Sequence, residues 1–534
     1  MKASLILALT FTVLHAAGQT LLHSNPETKD LDRFRFRVLT RKDNRLVIYK
    51  SVSFNSHTNT APLLLHSAPG GAIIENDICI YDSLMNQQSE MHLPLPKEIS
   101  GAEFIVYDDF FYIIYQYKHG YFLNCMAARV DFTGQLLGAP VCLDSTRNAG
   151  LDNQSQIYAV TSSEDKKWIM VYKLNGGPGT GTILNAILFD GQLHELHRST
   201  HGIDLPGAEY LSEFQLDNQG NFLFVGLSHS LSRDNPEKAI LFTLKPSSDS
   251  LSYGYFLSGT VFLDDVHVLI DNLRGRYILG SFFTSAPQGD VEGLFIQIRD
   301  ANGRRPARTT FTLFSDSLRR AVHDRGNLRK VFNNYYLHGM RLLADGTFTL
   351  ETQQLIRSPD PGYYNRWSYM IYHGVQHVGS SFLFNNTWEK DRYAPWNDWR
   401  LVDLPGLAYH AANFSSDAGL IAHFNPLGIV QWMDRIRIPQ NDIHHDRLGY
   451  TSMVSDDRLY FIFNETIRNK QILSGQCIDA EGALNTDARF REDQALGGQN
   501  DDYTYYPRLA EQAGDELIIP CLKGRQVCLA RLRL

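Results

Sequence analysis

The chain alternates between short apolar runs and tight polar turns over most of its length. The strongest apolar runs are rich in Tyr, Phe, Ile and Val, which is typical of β-strands. They begin at eight positions: Arg45, Phe110, Trp168, Phe222, Tyr277, Thr347, Leu459 and Glu516. Several of them start 54 to 58 residues apart, so we interpret them as equivalent strands of a long repeat.

The segments that flank these runs repeat as well. A turn rich in Asp, Asn and Gly, such as 217–220, precedes each run, because these residues adopt turn conformations at little cost. Another strand-like segment, such as 267–270, precedes that turn. A second turn, such as 131–134 or 479–482, follows the start of the run after 20 to 23 residues. The repeat is therefore four strands, A to D, with tight A–B and C–D turns and a longer B–C loop.

Four antiparallel strands in about 55 residues are the form of a propeller blade. We predict an all-β protein, a β-propeller of about eight four-stranded blades that occupies residues 19–534 as one domain; seven blades, or another all-β arrangement, are the alternatives. The last repeat ends after strand C, at 527–532, and has no strand D. We expect residues 20–23 to supply that strand and close the ring, which removes an exposed sheet edge.

The N-terminus has the pattern of a secretory signal peptide. Lys2 is followed by an apolar run over residues 3–17 and by the small residue Gly18, which predicts a signal peptide over 1–18. This run is too short to span a bilayer comfortably, and a signal anchor is the alternative. The sequence therefore predicts an exported protein, located in the periplasm, at the cell surface or outside the cell.

Composition limits the classes of partner. The net charge is −8 with both signs interspersed, which argues against a nucleic-acid partner and against a basic membrane-binding surface. The six cysteines are too few for a disulfide scaffold in a chain of this length. Cys521 and Cys528 lie symmetrically about Gly524-Arg525, so a two-residue hairpin would place them opposite each other. Counting from the turn gives a hydrogen-bonded pair, which suits a disulfide less well, and the bridge stays open at this point.

Part of the chain resembles a known group of proteins. The segments are 344–351 (ADGTFTLE), 424–432 (FNPLGIVQW), 438–440 (IPQ) and 461–465 (FIFNE). They resemble exported β-propeller-like repeat proteins of Bacteroidota, mainly over residues 340–465. Those proteins have no assigned activity, so the resemblance implies export and a repeat fold and transfers no catalytic residue.

The largest departure from the repeat is in the sixth unit. Its second turn, at Asn425, comes 78 residues after Thr347, so an insert occupies the B–C loop over about 353–417. The candidate ligand-binding residues of this insert are Trp388, Tyr393, Trp396, Trp399, Asp391 and Asp398. Aromatic rings edged by carboxylates suit sugar stacking or a peptide partner. The alternative is that the insert uses its tryptophans for a small core of its own.

Two connections between repeats carry further candidate residues. Residues 315–334 have apolar positions at helical spacing with five basic residues among them, which predicts a small helical insert that either binds an anion or presents a solvated face. His444 and His445 lie in the next connection and are included among the candidate ligand-binding residues. The alternative for them is a polar loop, because no second ligand is fixed by their spacing, and the sequence predicts no metal and no cofactor.

Three functions remain open at this point. The first is a non-catalytic binding propeller that presents its B–C and D–A loops to a glycan, a peptide or an envelope protein. The second is a glycan hydrolase or lyase that acts at the channel mouth, and the third is a protein–protein scaffold. No sequence motif requires catalysis and no catalytic residue is identified, so the sequence favours binding over an enzyme.

Overall fold

The computed structural model describes residues 20–27, 34–42, 44–54, 72–97, 99–147, 157–177, 181–203, 208–228, 238–256, 261–287, 289–301, 306–322, 328–358, 376–377, 413–442, 448–455, 458–467, 470–489 and 503–534. These residues form eight antiparallel sheets arranged as the blades of a ring. The protein is an eight-bladed β-propeller, so the predicted fold class is confirmed and the seven-blade alternative is wrong.

Blades 1 to 4 follow the predicted strand order, A to D. The N-terminal strand is β1 (Thr20–His23). Blade 1 contains β2 (Phe34–Lys42), β3 (Arg45–Phe54), β4 (Ala72–Tyr81) and β5 (Gln87–His92). Blade 2 contains β6 (Ser100–Val106), β7 (Phe110–His119), β8 (Phe122–Asp131) and β9 (Val141–Arg147). Blade 3 contains β10 (Ala159–Ser162), β11 (Trp168–Gly177), β12 (Gly181–Asp190) and β13 (Glu195–Ile203). Blade 4 contains β14 (Ala208–Leu216), β15 (Phe222–Ser228), β16 (Lys238–Leu244) and β17 (Leu251–Tyr255).

The remaining blades follow the same order with local changes. Blade 5 contains β18 (Phe262–Asp271), β19 (Arg276–Thr284), β20 (Gly293–Asp300) and β21 (Pro306–Leu313). Blade 6 contains β22 (Tyr335–Leu342), β23 (Phe348–Gln354), β24 (Ile356–Ser358), β26 (Asn413–Phe424) and β27 (Val430–Asp442), while β25 (Gln376–His377) pairs with blade 4. Blade 7 contains β28 (Tyr450–Ser455), β29 (Arg458–Ile467), β30 (Lys470–Ile478) and β31 (Leu484–Arg489). Blade 8 contains β32 (Tyr503–Tyr505), β33 (Glu511–Ala513), β34 (Glu516–Lys523) and β35 (Gln526–Arg533).

Strand A is the innermost strand of each blade. The A strands of neighbouring blades contact one another, for example β2 with β6, β10 with β14, and β18 with β22. Eight apolar clusters fill the spaces between consecutive blades, one at each junction. The cluster between blades 8 and 1 joins Leu529 to Ile48, and this last junction closes the ring.

The burial of strand B on both faces accounts for the apolar runs in the sequence. It has a neighbouring strand on either side and an apolar cluster against either face, so every residue of β19 and of β23 is buried. A strand buried on both faces reads as a continuous apolar run rather than as an alternation. The eight runs predicted from the sequence are therefore the eight B strands, each beginning within one residue of its predicted start.

The N-terminal strand closes blade 8 as predicted. β1 pairs antiparallel with β35, so that Thr20 lies opposite Arg533 and His23 opposite Ala530. Leu21 is buried in the cluster between blades 7 and 8. Glu27 then forms an ion pair with Lys50, a fully buried lysine of blade 1. Residues 20–27 therefore contact both the first blade and the last.

Those predicted turns that fall within the described residues form at one end of the ring, the lower face. In the C–D turn of blade 2, the Asp131 carboxylate accepts hydrogen bonds from the Thr133 and Gln135 amides at 2.9 Å, and Gly134 has a φ of +90°. The B–C loops on the opposite, upper face are less uniform than predicted. In blade 2 this connection is only a two-residue turn, because His119 pairs with Phe122. Blade 8 has the two-residue turn considered for Gly524-Arg525, because Lys523 pairs with Gln526.

The predicted helical insert between blades 5 and 6 is present. It consists of an α-helix, α1 (Asp316–Val322), and a 3₁₀ helix over Leu328–Asn334. The only other helix among the described residues is a 3₁₀ turn over Pro507–Leu509 in blade 8. None of the helices in the described ranges is long and apolar enough to cross a membrane.

Candidate functional site at the upper channel mouth

The structure does not test the ligand-binding residues named from the sequence. All of them lie outside the described residues: Trp388, Asp391, Tyr393, Trp396, Asp398, Trp399, His444 and His445. What the structure does describe is the root of the insert in blade 6, one short strand from its interior, and the inner strands of the ring.

The described strand of the insert lies two blades away from the blade in which the insert begins. The chain leaves blade 6 at β24 and returns at β26, with Ser358 opposite Asn413. Between them, β25 pairs antiparallel with the inner strand of blade 4, so that Gln376 lies opposite Leu211 and His377 opposite Tyr210. Tyr210 and Leu211 are near the upper end of β14. The insert therefore adds a fifth strand to blade 4 on its inner side, at the upper channel mouth.

The two predicted inserts meet at the root. The amide of Leu355 donates to the carbonyl of Asn334 at 2.8 Å, which joins the start of the insert to the end of the helical loop. Arg435 of β27 also donates to the carbonyl of Ala321 in α1, at 3.0 Å. Both inserts thus emerge at the same end of the ring, as their connection types predict.

Among the described arginines of the helical loop, Arg319 is the most buried, and its hydrogen bonds join parts of the loop to one another and to blade 5. The Arg319 guanidinium donates to the carbonyls of Leu328 and Arg329, both at 3.1 Å, and to that of Val291 at 3.2 Å. Burial lowers the pKa of this group. Because these bonds engage the guanidinium, Arg319 is a structural residue rather than an anion ligand, whereas Arg320 is exposed.

The inner strands of blades 4 and 5 carry titratable groups that the sequence did not single out. Glu213 of β14 has a φ of +57° and lies at a break in the register of β14 with β15. Its carboxylate accepts from the amide of Val268 in β18 at 2.9 Å, and its other oxygen lies 3.7 Å from Nδ1 of His267. Gln215 donates to the carbonyl of the same Val268 at 2.7 Å. Blade 4 therefore holds the inner strand of blade 5 through side chains.

A second set of charged groups joins blades 6 and 7. Arg341 of β22 donates to the carbonyl and to Oγ of Ser452, both at 2.9 Å. The Ser452 hydroxyl donates to Glu351 at 2.6 Å, and Nε of Arg341 lies 3.6 Å from the other oxygen of Glu351. The three residues form a compact network with one positive and one negative charge.

His338 lies between these two sets on a bulge of the inner strand of blade 6. The register of β22 with β23 shifts between Leu337 and Gly339, which leaves His338 as the extra residue. Its ring packs against Tyr450 with 4.4 Å between ring centroids. Burial, and then the positive charge of Arg508 among its neighbours, lowers the pKa of His338 to about 3. The imidazole is therefore neutral at pH 7.

Arg508 reaches this region because the inner strand of blade 8 is interrupted. Pro520 of β34 has no N–H to offer strand A, and opposite it the inner strand is replaced by the 3₁₀ turn between β32 and β33. The amide of Tyr506 still donates to the Pro520 carbonyl at 2.9 Å. Arg508 in this turn is buried, and its Cδ lies close to Gly449, beside the Gln353 amide.

We define the inner-strand cluster as six titratable side chains from blades 4, 5, 6 and 8: Glu213, His267, His338, Arg341, Glu351 and Arg508. Of these residues, Glu213 lies on β14, the strand to which the insert adds β25. The sequence signal that points to them is weak: Pro520 within an otherwise apolar run is one such signal, and the bulges have none. Within the described ranges, no group of three or more His, Cys, Asp or Glu side chains is placed to hold a metal ion.

One Ser–His contact lies elsewhere in the described structure. Oγ of Ser199 is 2.9 Å from Nε2 of His201 on β13, the outer strand of blade 3, and both side chains are buried. Burial lowers the pKa of His201. This pair is at the outer rim of the ring rather than at the channel mouth, so it does not belong to the inner-strand cluster.

Comparison with known proteins assigns neither a family nor an activity to the chain. No family model and no curated protein sequence matches the chain. Among solved structures, a WD40 domain of SCAP from fission yeast is 7% identical with a TM-score of 0.38, and the match covers 96% of this chain and 98% of that one. A structure from a study of two prolyl endopeptidases is 9% identical with a TM-score of 0.40, over 93% of this chain and 55% of that chain. An acylaminoacyl peptidase from Pyrococcus horikoshii is 8% identical with a TM-score of 0.33, over 94% and 57%. The chain thus spans just over half the length of the two peptidase chains, and no role follows for this chain from any of these structures.

Proposed function

We propose that this chain is an exported, non-catalytic binding propeller that holds its ligand or partner on the upper face, where the B–C and D–A loops emerge. The observation that carries the proposal is the pairing of β25 with the inner strand of blade 4. A segment of the longest loop is thereby held by backbone hydrogen bonds at the mouth of a rigid ring. Loops fixed on a rigid scaffold are where binding surfaces usually lie.

The composition of the insert supports a ligand with flat apolar faces and hydroxyl groups. Trp388, Trp396 and Trp399 follow β25 in sequence within the same insert, together with Asp391 and Asp398. An aromatic ring buries a large area at little cost in side-chain entropy, and a carboxylate accepts hydrogen bonds from sugar hydroxyls. A glycan is therefore the preferred ligand, and a peptide or an envelope protein with exposed aromatic residues is the alternative.

The test uses the mature chain, residues 19–534, on a glycan array and in pull-down from envelope extracts. Alanine variants of Trp388, Trp396 and Trp399 should each be compared with the parent protein for binding of the glycan that the array selects. We expect at least one variant to weaken binding by about tenfold, because aromatic side chains are the usual hot spots of a binding surface. Tyr253→Ala is the matched control, since Tyr253 is an exposed aromatic residue on the outer strand of blade 4, 61% accessible.

The outcomes separate the three functions. Retention of an intact glycan that the tryptophan variants lose supports the binding propeller. Release of shortened or unsaturated products supports the hydrolase or lyase, in which case the inner-strand cluster is the first place to mutate. Capture of a protein that all three tryptophan variants retain supports the scaffold and contradicts a ligand site on the insert.

A further inference from the structure

Two buried cysteines face each other in the blade that closes the ring. Cys521 of β34 and Cys528 of β35 are register partners across the hairpin that turns at Gly524-Arg525. Both side chains are buried in the apolar cluster between blades 7 and 8. Their Sγ atoms lie 2.7 Å apart. The two sulfurs therefore point at each other from adjacent strands.

The backbone hydrogen bonds show which type of antiparallel residue pair the two cysteines form. The backbone of Leu529 faces the N-terminal segment and not β34: its amide donates to Oγ of Ser24 at 3.0 Å, and its carbonyl accepts from the Ser24 amide at 2.8 Å. Leu529 and Pro520 are therefore a non-hydrogen-bonded pair, and Cys521 and Cys528, one step along, are a hydrogen-bonded pair. Such pairs have Cα atoms about 5.5 Å apart, and this spacing is within the range that a disulfide bridges. The pairing predicted from the sequence is thus present, and its geometry permits the bond.

We propose that Cys521 and Cys528 form a disulfide bond that ties strand B to strand C of the closing blade. The oxidant is a low-molecular-weight or protein disulfide, for which glutathione disulfide is the laboratory equivalent. The thiolate of one cysteine attacks the oxidant and releases one thiol, leaving a mixed disulfide. The second cysteine then attacks the mixed disulfide and releases the second thiol. The net change converts two cysteine thiols and one disulfide into one protein disulfide and two free thiols.

Burial determines when the bond forms. Burial raises the pKa of the Cys521 thiol, and the neighbouring Cys528 sulfur adds to the effect. A thiol that is protonated and inaccessible reacts slowly, so the bond forms while the hairpin is still accessible, before the cluster between blades 7 and 8 closes. The proposed disulfide lies next to the N-terminal strand, because β1 pairs with the part of β35 that follows Cys528.

The experiment refolds the full mature chain from denaturant with mixed oxidised and reduced glutathione and then blocks free thiols with iodoacetamide under denaturing conditions. We expect alkylation of four of the six cysteines, rising to all six when the protein is reduced before alkylation. Trypsin cuts after Lys523 and Arg525, so the bond should link the peptide 509–523 to the peptide 526–531 until reduction separates them. Recovery of this linked pair from the oxidised sample supports the proposal.

Controls exclude other pairings. Cys142→Ser removes the exposed cysteine of blade 2 and should leave the linked pair unchanged. Cys528→Ser should abolish the link and leave five alkylated cysteines, and Cys521→Ser should do the same, so that misfolding of one variant does not decide the outcome. Alkylation of all six cysteines in the oxidised parent protein, or a link between either residue and a different cysteine, would overturn the proposal.

Discussion

At the scale of single residues, the turns between strands show how closely the sequence is fitted to the packing between blades. Gly220 closes the A–B turn of blade 4 with a φ of +81°, and a Cβ there would lie 3.0 Å from the ring of Trp168 in blade 3. Nε1 of Trp168 donates to the Asn218 carbonyl of the same turn at 3.2 Å. A comparable contact joins Trp432 of blade 6 to the C–D turn of blade 7: Nε1 of Trp432 donates to the Ala480 carbonyl at 3.3 Å, and a Cβ at Gly482 would lie 2.8 Å from its ring.

The first prediction concerns this contact. Gly220→Ala adds a methyl group where the backbone is left-handed and a tryptophan ring is already in contact, so we expect a loss of about 2 to 3 kcal/mol in the free energy of unfolding. Gly120→Ala is the control, because Gly120 has a φ of +61° and no atom within 4 Å of the added Cβ. It should cost only the backbone strain, about 1 kcal/mol. Equal losses in chemical denaturation would contradict the role of the Trp168 contact.

The second prediction follows from the pKa of His338, which burial and nearby positive charges lower to about 3. In the unfolded chain a histidine has a pKa of about 6.5, so the unfolded state binds more protons between pH 6.5 and pH 3. Folding stability contributed by neutral His338 is therefore fully present above pH 6.5 and is lost progressively as the pH falls toward 3. His338→Gln should flatten the dependence of the unfolding free energy on pH over this window. An unchanged slope from pH 6.5 to pH 4 would show that His338 is not responsible.

At the scale of elements, irregular inner strands do most to distinguish this propeller from a regular repeat. Register shifts occur in the inner strands of blades 1, 2, 4, 5 and 6, and the inner strand of blade 8 is interrupted. In blades 4 and 6, the residue at such a shift contacts a neighbouring blade, as Glu213 does with Val268 and His338 with Tyr450. Glu213 and His338 both owe their positions to such a shift.

The third prediction concerns the closing strand. Removing residues 19–29 takes away β1 and Glu27, which exposes the edge of β35 and leaves the buried Lys50 without its carboxylate partner. We expect residues 30–534 to melt at a lower temperature than residues 19–534 and to aggregate more readily, because an unpaired edge and an unpaired buried charge are both unfavourable. Thermal unfolding with light scattering measures both effects.

A less drastic variant separates the two causes. Glu27→Gln keeps the strand and removes only the charge that faces Lys50, so it should lower stability without promoting aggregation. Lys42→Ala is the matched control, since Lys42 and Asp109 form an exposed ion pair at 3.5 Å and exposed pairs contribute little. Unchanged melting of the truncated chain would mean that β1 does not support the ring.

At the scale of the whole molecule, the stability of the ring is distributed over eight similar junctions. Each junction is an apolar cluster shared by two blades, and the junction between blades 8 and 1 is built from the same kinds of residue as the others. A closed ring of this kind has no terminal repeat with an exposed core face, unlike an open repeat array. We therefore expect the ring to unfold as a unit.

The fourth prediction tests this equivalence. Leu279 lies in the cluster between blades 4 and 5 and Leu529 in the cluster between blades 8 and 1, and both are buried. Leu279→Ala and Leu529→Ala should each cost about 2 to 5 kcal/mol and shift one common unfolding transition. Far-ultraviolet circular dichroism and tryptophan fluorescence should report the same midpoint for each variant. Two separate transitions, or an effect from only one of the two variants, would show that the ring does not behave as a single cooperative body.

The sequence by itself determined the eight B strands, the turns beside them and the blade count. The reason is local: a strand buried on both faces requires a continuous apolar run, and a tight turn requires Asp, Asn or Gly at fixed positions. The partner of the N-terminal strand was also predictable, because the last repeat has three strands where the others have four. The chemistry of the insert could be read as composition, and its aromatic residues remain a prediction.

The tertiary structure alone decided where distant segments meet. Nothing in the sequence near Gln376 or His377 names the inner strand of blade 4 as their partner, because a two-residue pairing across 165 residues leaves no periodic signal. Nor does the sequence near Arg508 show that the neighbouring strand lacks an N–H donor at Pro520. Strand pairings and bulges depend on backbone groups that every residue shares, whereas apolar runs and turns depend on side chains that the sequence displays. The ring could therefore be predicted from residue types, and the inner-strand cluster could be found only in the folded chain.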